Sequence, residues 1–261
     1  MLDLGLSILF SSLIFIVFKL LSIYKINTLY AIVINYITAC STGLLFYQGD
    51  LNPVEIPQKP WFLGTFLLGI LFIIVFKLMA TTSQKIGISV ASVATKMSLV
   101  IPVVCGILLY GEQLSLPQIL GIVLALTAVY FVSIRDRSAV IDKTLFWLPL
   151  LVFLGSGIID ASIKYMEELH LAKNEFPLFS AMAFGSAALT GIVFILVKRA
   201  TKATKILLKD VVGGIALGIP NYFSMYYLLQ ALQHKSLESA VIFTVNNVGI
   251  VLFTTLLGII L

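Results

Sequence analysis

A lysine, Lys96, lies about ten residues into a long apolar run, residues 87–110. In a helix this places it roughly 15 Å along the axis from the start of the run, near the middle of a bilayer core about 30 Å thick. A cationic side chain at that depth costs on the order of 3 kcal/mol on insertion scales, so it usually faces a cavity or an ionic partner. Lys96 is therefore a candidate for a charge that lines a polar pathway. The alternative is a structural lysine that snorkels or is neutralised by a carboxylate elsewhere.

Asp160 and Lys164 form a second candidate pair inside an apolar run. Because they are four residues apart, they share one face of a helix. They could neutralise each other, or they could belong to the pathway, with Asp160 as a protonation site for coupling. Lys19 lies closer to the end of its run, where a lysine can snorkel or take part in the pathway.

Polar residues also accompany a proline in the stretch GIPNYFSMYYLLQAL. Pro220 removes a backbone hydrogen bond and predicts a kink, and Asn221 and Tyr222 follow it directly. Broken helices with polar residues often form binding sites in transporters, although Asn and Tyr also join helices together. The further candidates are hydroxyl and amide side chains inside apolar runs: Ser92, Asn35, Asn246 and Asn247. Since Asn246 and Asn247 are consecutive, we expect only one of them to face inward.

The composition is that of a membrane protein. The chain has 261 residues, of which 60% are hydrophobic and 11% charged, whereas about 25% of the residues of a soluble protein are charged. The net charge of +5 comes from lysines and arginines spread over the loops, so it does not indicate nucleic-acid binding. Two cysteines inside apolar runs and two histidines do not predict a metal site or any other cofactor site.

The chain divides into nine apolar runs joined by short linkers. They cover about residues 3–22, 28–47, 61–80, 87–110, 117–134, 145–165, 176–197, 211–232 and 237–261. The connections after odd-numbered runs, counted with Lys77 near the end of the third run, carry eleven Lys or Arg residues. The connections after even-numbered runs, counted with Lys164 at the end of the sixth, carry four. By the positive-inside rule, the odd-numbered connections are cytoplasmic and the N-terminus lies outside.

An internal repeat relates the two halves of the chain at a spacing of about 145–149 residues. The segment LFSSLIFIVFK, which ends at Lys19, matches LGSGIIDASIK, which ends at Lys164. Further on, the glycines of the second and third runs recur in the seventh and eighth: Gly43 with Gly191, Gly64 with Gly213, and Gly69 with Gly218. With five spans in a copy, the second copy is upside down relative to the first. The sequence thus predicts an inverted repeat with a site at its interface near the midplane.

The stretch SVASVATKMSLVIPVVCGILLYGEQLSLPQILGIVLALTAV resembles the end of an EamA domain, from the drug/metabolite transporter superfamily. The residues that carry the resemblance are Ser89, Ser92, Pro102, Gly111, Glu112 and Gly121. It implies an all-α polytopic membrane protein made of two inverted five-helix repeats, residues 1–134 and 145–261. Because the second repeat ends within the ninth run, the resemblance also predicts that a tenth helix is missing.

The resemblance further implies a transporter rather than an enzyme. We expect it to move a small metabolite across the cytoplasmic membrane by alternating access, as an exporter. The rivals are an integral-membrane enzyme acting on a lipid-linked substrate and a non-transporting membrane subunit. The expected partners are the small-molecule substrate and membrane lipids. A homodimer through the small residues Gly121, Ala125 and Ala128 is a further possibility.

Overall fold

A computed structural model describes residues 2–47, 54–102, 147–170, 175–201, 205–233 and 239–260, with a few further positions between 104 and 145. Contacts and partners are assigned among these residues. Most of the fifth apolar run lies outside them. The ordered elements found there are α-helices and one 3₁₀ turn, Ile56–Gln58. The prediction of an all-α polytopic membrane protein is confirmed.

Eight helices account for the described spans. The first four are α1 (Leu2–Ile23), α2 (Thr28–Phe46), α3 (Phe62–Lys85) and α4 (Ile88–Met97). The second half contributes α5 (Trp147–His170), α6 (Phe176–Thr201), α7 (Leu208–Gln233) and α8 (Ser239–Ile260).

Length and hydropathy mark four of these helices as candidate membrane spans. Four described stretches are long and apolar enough to cross a bilayer, namely α1, α2, α3 and the part of α6 from Pro177 to Val197. Shorter apolar stretches are Ile88–Pro102, Trp147–Ile163 and Val245–Gly258. Large apolar side chains point outward from these helices, among them Leu63, Leu67, Ile70 and Ile74 of α3. Such exposure is unfavourable in water but suits contact with lipid chains.

Helices from the two halves pack crosswise. In this arrangement α2 packs against α7 and α6, α3 against α6 and α5, and α1 against α7 and α8. A core of aromatic rings fills the centre, where Tyr36, Phe72 and Phe184 stack on one another. Helix α4 completes the bundle between α8, α5 and α3.

The repeated glycines sit at the closest crossings of these helices. A Cβ atom on Gly69 would lie 2.6 Å from the Ser186 carbonyl carbon, and one on Gly218 would lie 2.7 Å from the Asn35 carbonyl oxygen. Backbones approach this closely only where a side chain is missing. The small residues at these two positions therefore set the spacing of α3 against α6 and of α7 against α2.

The contacts of equivalent glycines also correspond. Gly43 faces Ala181 and Tyr222, whereas Gly191 faces Val33 and Ile73. Val33 and Ala181 are 148 residues apart, and Ile73 and Tyr222 are 149 apart, so each contact of one glycine matches a contact of the other at the spacing of the repeat.

Gly64 and Gly213 show the same correspondence. Gly64 faces Met166, and Gly213 faces Leu21, which lies 145 residues before Met166. The residues that these glycines contact are thus separated by nearly the same spacing as the glycines themselves.

Candidate functional site

The interruption of α4 lies directly beside Lys96. Regular helix ends at Met97, Ser98 and Leu99 form a turn, and helix resumes at Val100. Pro102 has no N–H to donate to the Ser98 carbonyl, and the Ile101 N–H bonds that oxygen instead, at 2.9 Å. The backbone hydrogen bonding thus changes from the i+4 pattern to an i+3 bond directly after Lys96.

Lys96 and Asp160 meet at this interruption. Lys96 lies on α4 and Asp160 on α5, and the two charges interact electrostatically. The distance between ammonium and carboxylate exceeds 4.0 Å, since the direct ion pair found within the described ranges is the one between Lys59 and Glu175. The Ser98 hydroxyl lies 2.5 Å from the Thr95 carbonyl and 3.4 Å from the Asp160 carboxylate. Two opposite charges, held close but apart, are an arrangement that can receive a charged ligand group.

Ser92 lies one turn before Lys96 and bonds to a different helix. Its hydroxyl lies 2.7 Å from the Thr254 hydroxyl of α8, and both side chains are fully buried. Ser92 also donates to the Ser89 carbonyl at 3.0 Å. This contact fixes α4 against α8 on the side of the interruption where α4 begins.

A chain of buried polar side chains crosses the other part of the bundle. Asn221 of α7 donates to the Asn35 side-chain oxygen on α2 at 3.1 Å, and Ser224 donates to the Asn221 carbonyl at 2.9 Å. On α1, Ser7 lies 3.1 Å from the Ser224 carbonyl and 3.0 Å from the Asn246 side-chain oxygen on α8. This chain, from Asn35 to Asn246, joins four helices by hydrogen bonds that lipid cannot replace.

A few buried polar groups have no partner among the described residues. They are the Asn35 side-chain nitrogen and the hydroxyls of Ser83 and Ser156. Ser156 precedes Asp160 by one helical turn, whereas Ser83 lies near the end of α3, away from the charges. A buried donor without a partner costs about 1–3 kcal/mol, so the groups on Asn35 and Ser156 are open to hydrogen bonding by a ligand.

The region around Pro220 is helical on both sides of the proline. Helix α7 is continuous through Pro220, and the interruption occurs in α4 instead. Tyr222, 4% exposed, packs in a cluster of aromatic rings with Phe46, Phe223 and Tyr226. It also lines a small cavity between α6 and α7, together with Pro177, Ser180, Met225 and Tyr226.

The remaining sequence candidates are scattered. Lys19 is partly buried near the end of α1, and no carboxylate among the described residues lies within ion-pair distance of it. Lys164 belongs to α5, but its side chain lies outside the described set. Asn246 is buried whereas Asn247 is only partly buried. The fold therefore brings Lys96 near Asp160, and Asn35 near Asn221, and leaves Lys19 apart.

At one end of the bundle, a carboxylate ties the two halves together. Glu175, directly before α6, binds the Lys59 ammonium at 2.6 Å and accepts from the Trp61 indole N–H at 3.0 Å. The hydrogen bond and charge of Glu175 raise the pKa of Lys59 above its ordinary value of 10.5. Trp61 is fully buried and packs edge-on against Phe179.

At the opposite end, Asp210 plays the corresponding part. Its carboxylate accepts from the backbone N–H groups of Asn27 and Leu207, both at 2.9 Å. These N–H groups precede α2 and α7, where the positive end of the helix dipole favours a negative charge. Lys209 adds a hydrogen bond to the Lys25 carbonyl at 2.7 Å.

Sequence reasoning missed several of these residues. Ser7, Ser98, Ser224 and Thr254 are isolated hydroxyl side chains in apolar runs, and such residues carry no distinguishing pattern. Glu175 and Asp210 lie at the boundaries of runs, where acidic residues are common. Only the packing shows that each binds the opposite half.

Together the fold and the polar groups define a polytopic helical membrane protein with charged residues inside its spans. Residues 4–134 match the EamA-like transporter family, and this chain belongs to that family. It is also 28% identical over 238 residues to an uncharacterized protein of Haemophilus influenzae, covering 87% of this chain and 78% of that protein. No solved structure matches the chain. The resemblance found at residues 89–121 is thus confirmed.

Proposed function

We propose that the protein is a secondary transporter that exports a small metabolite across the cytoplasmic membrane by alternating access. The observation that carries this proposal is the pair of opposite charges, Lys96 and Asp160, beside an interrupted helix in a member of a transporter family. Charged side chains inside membrane spans are rare and typically mark substrate or ion pathways.

The packing of the halves supports an inverted repeat of residues 1–134 and 145–261. In such a repeat, α2 corresponds to α6, and α7 corresponds to α3. The contact of α2 with α7 therefore corresponds to the contact of α6 with α3, and both contacts exist. The matched surroundings of Gly43 and Gly191 fit the same exchange. An inverted repeat gives two related conformations, one open to each side of the membrane.

In the proposed mechanism, Lys96 binds an anionic group of the substrate. Asp160 balances the lysine when the site is empty and binds a cationic group of the substrate or a proton when the site is filled. The hydroxyl of Ser156, one helical turn before Asp160, offers a further hydrogen bond. Lysines outnumber acids within the spans, which favours an anionic or zwitterionic solute over a cationic one.

The buried amides contribute in a different way. Asn35 and Asn221 join α2 to α7 near the middle of both helices. We assign them to positioning the two halves, with the unpaired nitrogen of Asn35 available to a ligand.

Counterflow in liposomes tests the proposal. Purified protein is reconstituted into liposomes, which are loaded with one unlabelled solute at a time, and uptake of the same solute in labelled form is measured. The solutes tested are amino acids, phosphorylated sugars and nucleotide sugars. We expect uptake of at least one anionic or zwitterionic solute, and its loss in Lys96→Met. Uptake of none of them by folded protein, or equal uptake by Lys96→Met, would contradict the proposal.

A further inference from the structure

The ties at the two ends of the bundle occupy equivalent positions of the repeat. Asn27 and Glu175 directly precede α2 and α6 and are 148 residues apart, the spacing of Gly43 and Gly191. Trp61 and Asp210 lie at the starts of α3 and α7 and are 149 residues apart, the spacing of Gly69 and Gly218. The contact of Trp61 with Glu175 at one end thus corresponds to the contact of Asp210 with Asn27 at the other.

The two ties lie at opposite ends of the bundle. Gln84, at the end of α3, donates to Thr28 at the start of α2 at 3.1 Å. The start of α3, with Trp61, is therefore at the far end from the start of α2, with Asn27. We call the group Lys59, Trp61 and Glu175 the Glu175 clasp, and the group Asn27, Leu207 and Asp210 the Asp210 clasp.

We propose that the Glu175 clasp and the Asp210 clasp are the two gate locks of the transporter, each holding one end of the bundle closed. This inference rests on the proposed alternating access. Both clasps are formed in this structure, and each joins the first half of the chain to the second. For one end to open, the helix starts that its clasp joins must separate, while the clasp at the other end stays closed.

The clasps differ in strength for a physical reason. Asp210 is 2% exposed, and two backbone N–H groups hold its carboxylate. Side chains form the Glu175 clasp, and 37% of the Lys59 side chain is exposed. Exposed ion pairs contribute little, whereas buried charge-assisted hydrogen bonds contribute more. We therefore expect the Glu175 end to open more readily than the Asp210 end.

Two reporter cysteines measure the opening of each end. Cys40 and Cys105 are first replaced by alanine. Ser180→Cys, 4% exposed on α6, then reports the Glu175 end, and Ala31→Cys, 0% exposed on α2, reports the Asp210 end. The rate of maleimide modification is measured on purified protein in nanodiscs, where both faces are accessible. Since this readout needs no substrate, it is separate from the transport assay.

Clasp variants are then compared with matched controls. Lys59→Met and Glu175→Ala weaken the Glu175 clasp, with Gln58→Ala, in the same 3₁₀ turn, as their control. Asp210→Ala removes the carboxylate that accepts the hydrogen bonds of the Asp210 clasp. If Asp210→Ala does not fold, Asp210→Asn is used in its place. Lys205→Met, an exposed lysine at the same end, is the control for Asp210.

If the clasps are gate locks, the modification rates at the two reporter positions should change in opposite directions. Weakening the Glu175 clasp should raise the modification rate at position 180 by up to about fivefold and lower the rate at position 31. Weakening the Asp210 clasp should raise the rate at position 31 by about tenfold or more and lower the rate at position 180. Controls should leave both rates unchanged.

Any other pattern would overturn the proposal. If a clasp variant changes only the nearby reporter, raises both rates, or changes neither, the clasps are static ties. Reciprocal changes in a protein that shows no counterflow would instead support the gate locks and contradict the proposed substrates.

Discussion

At the scale of single residues, the proposed function depends most on Lys96. The sequence left two interpretations open, a pathway lysine and a structural partner of a carboxylate. The structure places Asp160 close enough for electrostatic interaction but not in direct contact. An intimate buried ion pair would lower the yield of folded protein strongly when one partner is removed, whereas a separated pair leaves room for a ligand between the charges.

We predict that Lys96→Met lowers the initial rate of transport at least about tenfold while the yield of folded protein in detergent stays within about twofold. Removing a charge from a membrane span lowers the cost of insertion by about 3 kcal/mol, which compensates for the lost interaction with Asp160. Lys96→Arg should keep part of the activity because it keeps the charge. Transport rate and yield are measured side by side on the same preparations.

The double variant Lys96→Met with Asp160→Leu provides the control for a structural role. If Lys96→Met lost most of its yield and the double variant restored it, Lys96 would be a scaffold residue. Normal transport by Lys96→Met would remove Lys96 from the pathway altogether.

At the scale of helices, the crossings at Gly69 and Gly218 decide how the two halves approach. We predict that Gly69→Ala and Gly218→Ala each lower the free energy of unfolding by about 1–3 kcal/mol. In both cases the added Cβ meets backbone atoms of the facing helix, at 2.6 Å and 2.7 Å, which side-chain movement cannot relieve. Reversible unfolding in mixed detergent micelles measures the change.

Gly5 supplies the matched control for these crossings. It lies in α1, where a methyl group added at its Cα would have nothing within 4 Å, and alanine favours a helix over glycine by about 1 kcal/mol. Gly5→Ala should therefore be neutral or stabilising. Equal effects at Gly5, Gly69 and Gly218 would show that packing is not what sets these costs.

The interruption of α4 begins four residues before a proline. Pro102 has no N–H group to donate to the Ser98 carbonyl. The Ile101 N–H donates to that carbonyl instead. Pro220 also withholds a donor, yet α7 continues through it as helix. A proline by itself therefore does not decide where a helix breaks, because neighbouring helices can hold the backbone straight.

At the scale of the whole molecule, the orientation in the membrane follows from loop charge. We predict that a single cysteine at Gln58 is labelled from outside intact cells by an impermeant maleimide and that one at Lys205 is labelled only after permeabilisation. The basis is the excess of Lys and Arg in the connections after odd-numbered runs. Labelling of position 205, and not of position 58, in intact cells would reverse the predicted orientation.

The ion pair at the Glu175 clasp gives the molecule a pH dependence in alkaline solution. Because the folded-state pKa of Lys59 is raised, its contribution to stability is fully present below the ordinary value of 10.5 and is lost as the pH rises through the raised value. In a Trp147→Phe background, the fluorescence of Trp61 should therefore change between about pH 10 and pH 12. The same titration of a Lys59→Met variant should lack this step, and an identical step there would assign it to another group.

The sequence alone determined the class of protein. Apolar runs of bilayer length predict helical spans, because lipid offers no hydrogen-bond partner to backbone groups outside a helix. The paired glycines recur at nearly the same spacing. Such local patterns can be recognised in the sequence without knowing which helices pack against one another. The motif around Pro102 and Glu112 similarly identified the family.

Only the tertiary structure decided which residues meet. Nothing in the order of residues shows that Asp160 approaches Lys96, that Asn221 bonds Asn35, or that Glu175 and Asp210 tie opposite ends of the two halves. These contacts join residues between 64 and 186 positions apart, and they depend on helix crossings that the glycines permit. The physical reason is that a helix presents several faces of similar hydropathy in a membrane. Close packing between helices, rather than hydropathy, selects the face that each helix turns toward its neighbours.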